Sequence, residues 1–182
     1  MRWVPFIILA YVALVLQSWL GLTVGFGGIS PDLLAVVAVA VALWAPSGTV
    51  AMLAGWTLGF ALDLTVTGAT QTITFVGPMS LAYMLGARLI FNMREVVFNE
   101  RVIVRALLTG AFCLVTHFIW IFAQCLMTVS WSDFPRLFGQ VVGVAIYTAI
   151  VAPIGCWMLW PMRGFLFEIP VQSSRRPRRT TR

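Results

Sequence analysis

Apolar residues group into six runs that are separated by short polar or glycine-rich stretches. A helix that is apolar on every side needs lipid or protein all around it, and about 20 residues cross the hydrocarbon core of a bilayer. The pattern therefore predicts an all-α polytopic membrane protein with six transmembrane helices in residues 1–165. The predicted spans are 3–22, 33–44, 49–66, 73–90, 102–129 and 137–162.

The second run is the shortest, and a clear helix start precedes it. Ser30 supplies a capping hydroxyl, Pro31 suits the first helical position, and Asp32 places an acid in the first turn. At about 1.5 Å per residue the run covers roughly 20 Å, which is less than the roughly 30 Å hydrocarbon core. We expect this helix to be tilted or shielded by its neighbours.

Composition supports a protein that lies almost entirely in the bilayer. The 182 residues are 60% hydrophobic and 10% charged, which leaves little room for a separate soluble catalytic domain. The first run lacks a small-residue cleavage pattern, so we interpret it as a retained helix. All three cysteines fall in apolar segments, where a thiol behaves as a small hydrophobe, and the sequence predicts neither a disulfide nor a metal site.

The basic residues are twelve arginines and no lysine, and they predict a topology. Arg2, a cluster within 88–105 and a third group from Arg163 onward flank the apolar runs. Basic residues beside short membrane loops stay cytoplasmic, so the three groups should share that face, with both termini inside. Their position at membrane boundaries explains them better than nucleic-acid binding does.

The last segment, 166–182, is predicted to be a disordered arginine-rich cytoplasmic tail. It is too polar to bury a core, and it would lie against anionic lipid at about 1 kcal/mol per basic residue. The predicted lipid contacts are Arg175, Arg176, Arg178, Arg179 and Arg182.

Small residues recur at four-residue spacing in the third span. Ala51, Gly55 and Gly59 form a stripe that ends at Asp63, and Gly139 with Gly143 repeats the pattern in the sixth span. Small side chains let helix backbones approach closely in lipid. The stripes predict either packing within the chain or binding of a partner's membrane helix, and Gly55 and Gly59 are the best candidates for a partner.

Two acids lie at the ends of predicted spans. Asp63 sits near a helix carboxyl end, where the dipole disfavours negative charge, so it needs hydrogen-bond donors. The hydroxyls of Thr65 and Thr67 or amides of the following loop would supply them, and coupling to a proton or ion is the alternative. Asp32 is explained by its first-turn position.

His117 and Gln124 are seven residues apart and therefore share one face of the fifth span. We expect them to hydrogen-bond to a neighbouring helix, with a proton relay or ligand binding as the alternative. The sequence offers no catalytic triad, nucleophile elbow or phosphate-binding loop, so a non-enzymatic protein is predicted.

Three segments resemble the bacterial rod shape-determining MreD family. Ser-Pro-Asp-Leu-Leu at 30–34 opens the short second span, and Gly-Trp-Thr-Leu-Gly-Phe-Ala-Leu-Asp at 55–63 closes the third. The stretch 77–88, with Ala82-Tyr83 and Gly86-Ala87-Arg88, is similar to the family's fourth span. The turn at 44–48 departs from the family, which often has basic residues there, and the arginine-rich tail is unusually long.

The resemblance implies a non-enzymatic scaffold of the cell-elongation complex in the bacterial inner membrane, supporting peptidoglycan synthesis and cell shape. The implied partner is an MreC-like protein with a single span, which links to a RodA-type glycosyltransferase, a penicillin-binding transpeptidase and MreB. No cofactor is implied.

The family is also similar in fold to the substrate-binding membrane subunits of energy-coupling-factor transporters, which gives an alternative function. A vitamin-binding subunit needs a polar, aromatic-lined pocket. Its predicted lining residues are Gln71, His117, Trp120 and Gln124.

Overall fold

The computed structural model describes residues 1–23, 29–69, 77–97, 102–127, 131 and 134–167, and it confirms the all-α architecture. A 3₁₀ turn, Trp160–Met162, and a single-turn helix, α7 (Arg163–Leu166), follow the main helices. The six main helices are α1 (Trp3–Thr23), α2 (Leu33–Trp44), α3 (Gly48–Ala69), α4 (Pro78–Val97), α5 (Val102–Met127) and α6 (Phe134–Leu159).

Four stretches of the described chain are long and apolar enough to cross a membrane, as a multi-pass membrane protein requires. They are Trp3–Gly21, Gly48–Thr65, Ile103–Leu126 and Phe134–Leu166. The helix α2 is apolar but too short, and α4 carries charged residues in its second half. The six predicted spans thus correspond to six helices, of which four meet the requirement by length and composition.

The observed helix boundaries agree most closely with the predicted ones where the sequence carries a signal for a helix start. The bounds of α2 are those predicted, whereas α3 continues to Ala69, beyond the predicted end at 66. The prediction for the fourth span was wrong at both ends, because α4 begins at Pro78 and continues to Val97. Gly77, with φ of 135°, provides a backbone turn directly before α4 that a residue with a side chain rarely adopts.

The short helix α2 lies at the centre of the bundle and contacts α1, α3, α4, α5 and α6. Every residue from Leu34 to Ala42 is buried, on all sides of the helix. Alternating alanine and valine keep the helix thin, so five neighbours approach it at once. Shielding by neighbours was one of the expected ways to accommodate so short a helix, and it is confirmed.

Four of the other helices form two antiparallel pairs around α2, and α1 packs against α2 beside them. The closer pair is α3 with α4, and the second is α5 with α6. In the second pair, a Cβ added at Gly110 would lie 2.9 Å from the Cβ of Ala149. Small residues therefore set the spacing in this pair.

Arginine side chains collect at one end of the bundle. Arg105 and Arg163 both lie over the ring of Trp160, at 5.2 and 5.9 Å from its centroid. Trp160 also packs edge-on against Trp44. Arg94 donates to the carbonyl oxygen of Ala45 at 2.7 Å.

The amino terminus joins the same end, which we call the arginine end. The Arg2 amide donates to the carbonyl oxygen of Leu166 at 2.9 Å, and Arg88 lies against Gly48. The sequence predicted that the three arginine groups share one side of the protein. The described members lie at the same end of the bundle, and they are Arg2, Arg88, Arg94, Arg105 and Arg163. Arg101 and the five predicted lipid contacts of the tail lie outside the described residues.

The folded body extends past the predicted boundary at 165. Leu166 and Phe167 are buried, and the carbonyl of Leu166 accepts the hydrogen bond from Arg2. The end of the chain beyond 167 lies outside the described residues.

Large apolar side chains cover the outside of the bundle. On α1 only a narrow face, with Phe6, Leu9 and Ala13, is buried. A soluble protein rarely exposes apolar surface on this scale, so the outward faces are suited to lipid or to another membrane helix. The exposed residues of α1 and α6 include Val4, Ile7, Ile8, Tyr11, Val12, Val15, Leu16, Ile146, Ile150, Ile154 and Trp157.

Candidate functional site

The helix α2 begins inside the bundle, so its first amides need protein partners. The Ala35 amide donates to Asp32 Oδ1 at 3.0 Å, as expected for an N-cap acid. The Leu34 amide donates to Oε1 of Gln17 from α1 at 3.1 Å. The amide of Asp32 itself donates to Oγ1 of Thr148 in α6 at 2.9 Å. Side chains from α1, from α6 and from the N-cap residue thus replace the water that a membrane interior lacks.

The second carboxylate oxygen of Asp32 faces α4 and α5. Asp32 Oδ2 accepts a hydrogen bond from the hydroxyl of Tyr83 and lies 3.7 Å from Nε2 of His117. Both Asp32 and Tyr83 are buried, at 2% and 0% exposure. The ring of Tyr83 packs edge-on against Phe112, which fixes the direction of its hydroxyl.

Cys113 and His117 complete this group from successive turns of α5. Nδ1 of His117 lies 3.0 Å from the carbonyl oxygen of Cys113 and 3.6 Å from its sulfur. The Cys113 sulfur is 3.8 Å from Oγ1 of Thr148. One ligand atom from each of Asp32, Cys113 and His117 lies within 4.8 Å of the others. We call Asp32, Tyr83, Cys113, His117 and Thr148 the polar cluster.

The polar cluster only partly matches the sequence predictions. Asp32 is itself the N-cap of α2, whereas the sequence analysis gave the capping role to Ser30 and placed Asp32 in the first turn. The bond of Asp32 to Tyr83 was not suggested by the sequence. His117 was expected to hydrogen-bond to a neighbouring helix, but its described hydrogen-bond contacts are to Cys113 of its own helix, and Nε2 lies 3.7 Å from Asp32. Gln124 is buried two turns further along α5. The missed signal was the four-residue spacing of Cys113 and His117, which places both on one face of a helix.

Asp63 lies outside the polar cluster and caps α4 from the end of α3. Its Oδ2 accepts from the Gly77 amide at 3.0 Å, the Ser80 amide at 3.0 Å and the Ser80 hydroxyl at 2.8 Å. An amide after the loop is therefore a donor, as one of the predictions had it. Thr65 instead donates to the carbonyl of Leu62, and the side chain of Thr67 lies outside the described residues.

The stripe of small residues in α3 packs against α4. A Cβ at Gly55 would lie 2.5 Å from the carbonyl oxygen of Tyr83, and a Cβ at Gly59 would lie 2.5 Å from that of Met79. Ala51 is buried as well. The hypothesis that Gly55 and Gly59 bind a partner helix was therefore wrong, because α4 of the same chain occupies that face.

The two glycines of α6 differ from each other. A Cβ at Gly143 would lie 2.7 Å from Cδ1 of Ile29, so the chain itself covers this residue. Among the described residues, none has an atom within 4 Å of a Cβ placed at Gly139. Gly139 is the member of the predicted set that remains open on the surface.

Of the residues predicted to line a vitamin pocket, Gln71 lies outside the described residues. His117 belongs to the polar cluster, Trp120 packs beside the buried core, and Gln124 is buried further along α5. Within the described residues, every buried side-chain nitrogen and oxygen has a hydrogen-bond partner. The arrangement is suited to holding helices together, and the polar cluster adds three groups that are able to coordinate a cation.

Comparisons with known proteins do not assign this chain to a family. No protein-family model matches it, and neither a curated protein nor a solved structure matches at a significant level.

Proposed function

We propose that this chain is a non-enzymatic scaffold subunit of the MreD type. It would act in the cell-elongation complex of the bacterial inner membrane, where it binds the membrane helix of an MreC-like partner. Through that partner it would support peptidoglycan synthesis by a RodA-type glycosyltransferase and a penicillin-binding transpeptidase. The same partner would connect it to MreB.

The observation that carries this proposal is that the three segments resembling the family meet in one unit. Asp32, from the first segment, accepts the hydroxyl of Tyr83, and Gly55, from the second, packs on the backbone of Tyr83. Asp63 then binds Gly77 and Ser80. Tyr83, Gly77 and Ser80 all belong to the third segment. Short motifs that match by chance have no reason to contact one another, so their joint packing supports the resemblance.

The chemistry of the interior supports a role without catalysis. Asp32 and Asp63 cap helices, and the glycines of α3 allow close packing. These residues hold helices together, and the outward faces are apolar. A scaffold needs this combination of a fixed interior and a surface that another membrane helix can contact.

The partner helix must bind a surface other than the one where α3 and α4 pack against each other. We assign it to α6 around Gly139, since this glycine is open and an exposed apolar strip continues from it along Ile146, Ile150 and Ile154. A glycine on an open face permits close approach of a second helix.

Co-purification tests this assignment. The chain should purify in mild detergent with the MreC-like protein encoded in the same bacterium, and Gly139→Leu should lower the recovered partner at least about 10-fold, roughly 1.4 kcal/mol of association free energy. Gly164→Leu is the matched control, because a Cβ at Gly164 likewise has no atom of the described part of the chain within 4 Å.

Two further measurements test the scaffold against the vitamin-binding alternative. They are the shape of cells that lack the gene and the unfolding temperature with vitamins. Loss of the gene should turn rod-shaped cells round. Unchanged shape together with no co-purification would contradict the scaffold. A raised unfolding temperature with riboflavin, thiamine or biotin would instead favour the vitamin-binding alternative.

We further propose six crossings, with the arginine end in the cytoplasm, because basic residues beside short loops are retained there. Thr49 is exposed at the arginine end, and Arg136 is exposed at the start of α6, at the opposite end. In intact spheroplasts, an impermeant maleimide should label Arg136→Cys and should label Thr49→Cys only after permeabilisation. The described native cysteines are buried and give a low background. The reverse labelling pattern would refute this orientation.

A further inference from the structure

The polar cluster contains three side chains whose chemistry goes beyond helix capping. Asp32, Cys113 and His117 offer one oxygen, one sulfur and one nitrogen, all within 4.8 Å of one another. Asp32 and Cys113 are buried, and His117 is exposed over 17% of its side chain. We propose that these three residues bind a divalent transition-metal ion of the zinc class.

The hydrogen bond that His117 makes to its own helix leaves its other ring nitrogen facing Asp32. The Cys113 carbonyl only accepts hydrogen bonds, so Nδ1 of His117, 3.0 Å away, is the donor. Nε2 faces the carboxylate of Asp32. A cation between Nε2 and this carboxylate would be bound by both. Histidines that bind metal commonly donate their other N–H to a backbone carbonyl in this way.

The distance between Nε2 of His117 and Oδ2 of Asp32 fits a shared metal ion better than a direct hydrogen bond. Nε2 of His117 and Oδ2 of Asp32 are 3.7 Å apart. A charge-assisted hydrogen bond would bring nitrogen and oxygen to about 2.7–2.9 Å. Zinc binds nitrogen and oxygen at about 2.0–2.1 Å each, which separates the two ligands by roughly 3.4 Å in a tetrahedral site.

The third ligand also fits with a small adjustment. The Cys113 sulfur lies one turn from His117 on α5. Zinc–sulfur bonds of about 2.3 Å require the three ligand atoms to move closer to one another by roughly 1 Å. Thr148, 3.8 Å from the sulfur, and Tyr83, bonded to Asp32, surround the ligands with hydroxyls. Such outer groups orient metal ligands.

Charge balance favours this site in an apolar interior. A divalent ion bound by a carboxylate, a thiolate and a neutral imidazole has no net charge. Hydrogen bonds from Tyr83 and Ala35 reach Asp32 but bring no opposite charge, and a bound cation would supply it. Binding requires Cys113 to lose its thiol proton to solvent, and no electron is transferred. The bound ion would tie the start of α2 to α5.

Cobalt provides a direct test because its bond to thiolate absorbs in the near ultraviolet. The full chain should be purified with a histidine-free tag, since His117 is its only histidine, and stripped of metal with a chelator. Titration with Co²⁺ should give thiolate charge-transfer and tetrahedral visible bands that saturate at one ion per chain. Zn²⁺ should then displace the cobalt.

Single substitutions assign the ligands. Cys113→Ser should remove the charge-transfer band, and His117→Gln and Asp32→Asn should each weaken Co²⁺ binding at least about 100-fold. Cys125→Ser, at another buried cysteine of α5, is the matched control and should leave the bands unchanged. Size-exclusion chromatography reports whether each variant remains folded.

Three results would overturn the proposal. They are no saturable cobalt binding by the native chain, a charge-transfer band that persists in Cys113→Ser, and native affinity in folded His117→Gln. The last variant keeps the test decisive even if Cys113→Ser fails to fold, because His117 is the least buried of the three ligands.

Discussion

Replacing Gly59 with leucine should abolish the folded state. An added Cβ would lie 2.5 Å from the carbonyl oxygen of Met79 and 2.7 Å from Cα of Ser80. Both atoms are backbone, so no side chain can rotate away, and α3 and α4 would have to separate. Overpacking usually costs about 1–3 kcal/mol, and a clash with backbone exceeds that range. The expected result in mild detergent is aggregation in place of a monodisperse peak.

Gly139→Leu is the matched control, because it makes the same change on a membrane helix where a new Cβ meets nothing within 4 Å. It should insert, purify and unfold like the native chain. A monodisperse Gly59→Leu variant with native thermal stability would contradict the α3–α4 packing described above. Together the two variants separate loss of the fold from loss of a partner.

Asp63→Leu should destabilise the protein by at least about 3 kcal/mol. The carboxylate accepts from the Gly77 amide, the Ser80 amide and the Ser80 hydroxyl. Leucine accepts none of them, and each buried donor left unsatisfied costs about 1–3 kcal/mol. The start of α4 would lose its cap at the same time. Unfolding titrated with sodium dodecyl sulfate in mixed micelles measures the change.

Asp63→Asn tests whether charge or hydrogen bonding matters at this position. The Gly77 amide, the Ser80 amide and the Ser80 hydroxyl all donate to Oδ2, and the side-chain oxygen of asparagine is able to accept from them. We expect Asn to keep most of the stability and Leu to lose it. Equal losses in the two variants would show that a negative charge is required, which would favour proton or ion coupling over capping.

The sequence predicted α2 well and α4 poorly, for a physical reason. The start of α2 is encoded locally, since Asp32 caps the helix that follows it directly. The start of α4 depends on Asp63, which belongs to the preceding helix and reaches it only in the folded chain. Local patterns carry no information about a cap supplied by another helix.

The same limit applies to the candidate site. The spacing of Cys113 and His117 is visible in the sequence, but Asp32 joins them only through the packing of α2 against α5. The stripe at Gly55 and Gly59 predicts close approach of a helix and leaves the identity of that helix open. The structure identifies this helix as α4, which packs against Gly55 and Gly59.

The central position of α2 has a consequence for biogenesis. This helix is shorter than the hydrocarbon core is thick, and its neighbours α3, α4, α5 and α6 all follow it in the chain. When α2 leaves the ribosome, most of the surface that will enclose it has not been synthesised. Stable integration of this segment must therefore wait for later helices, so the final step of assembly closes the bundle around a segment made early.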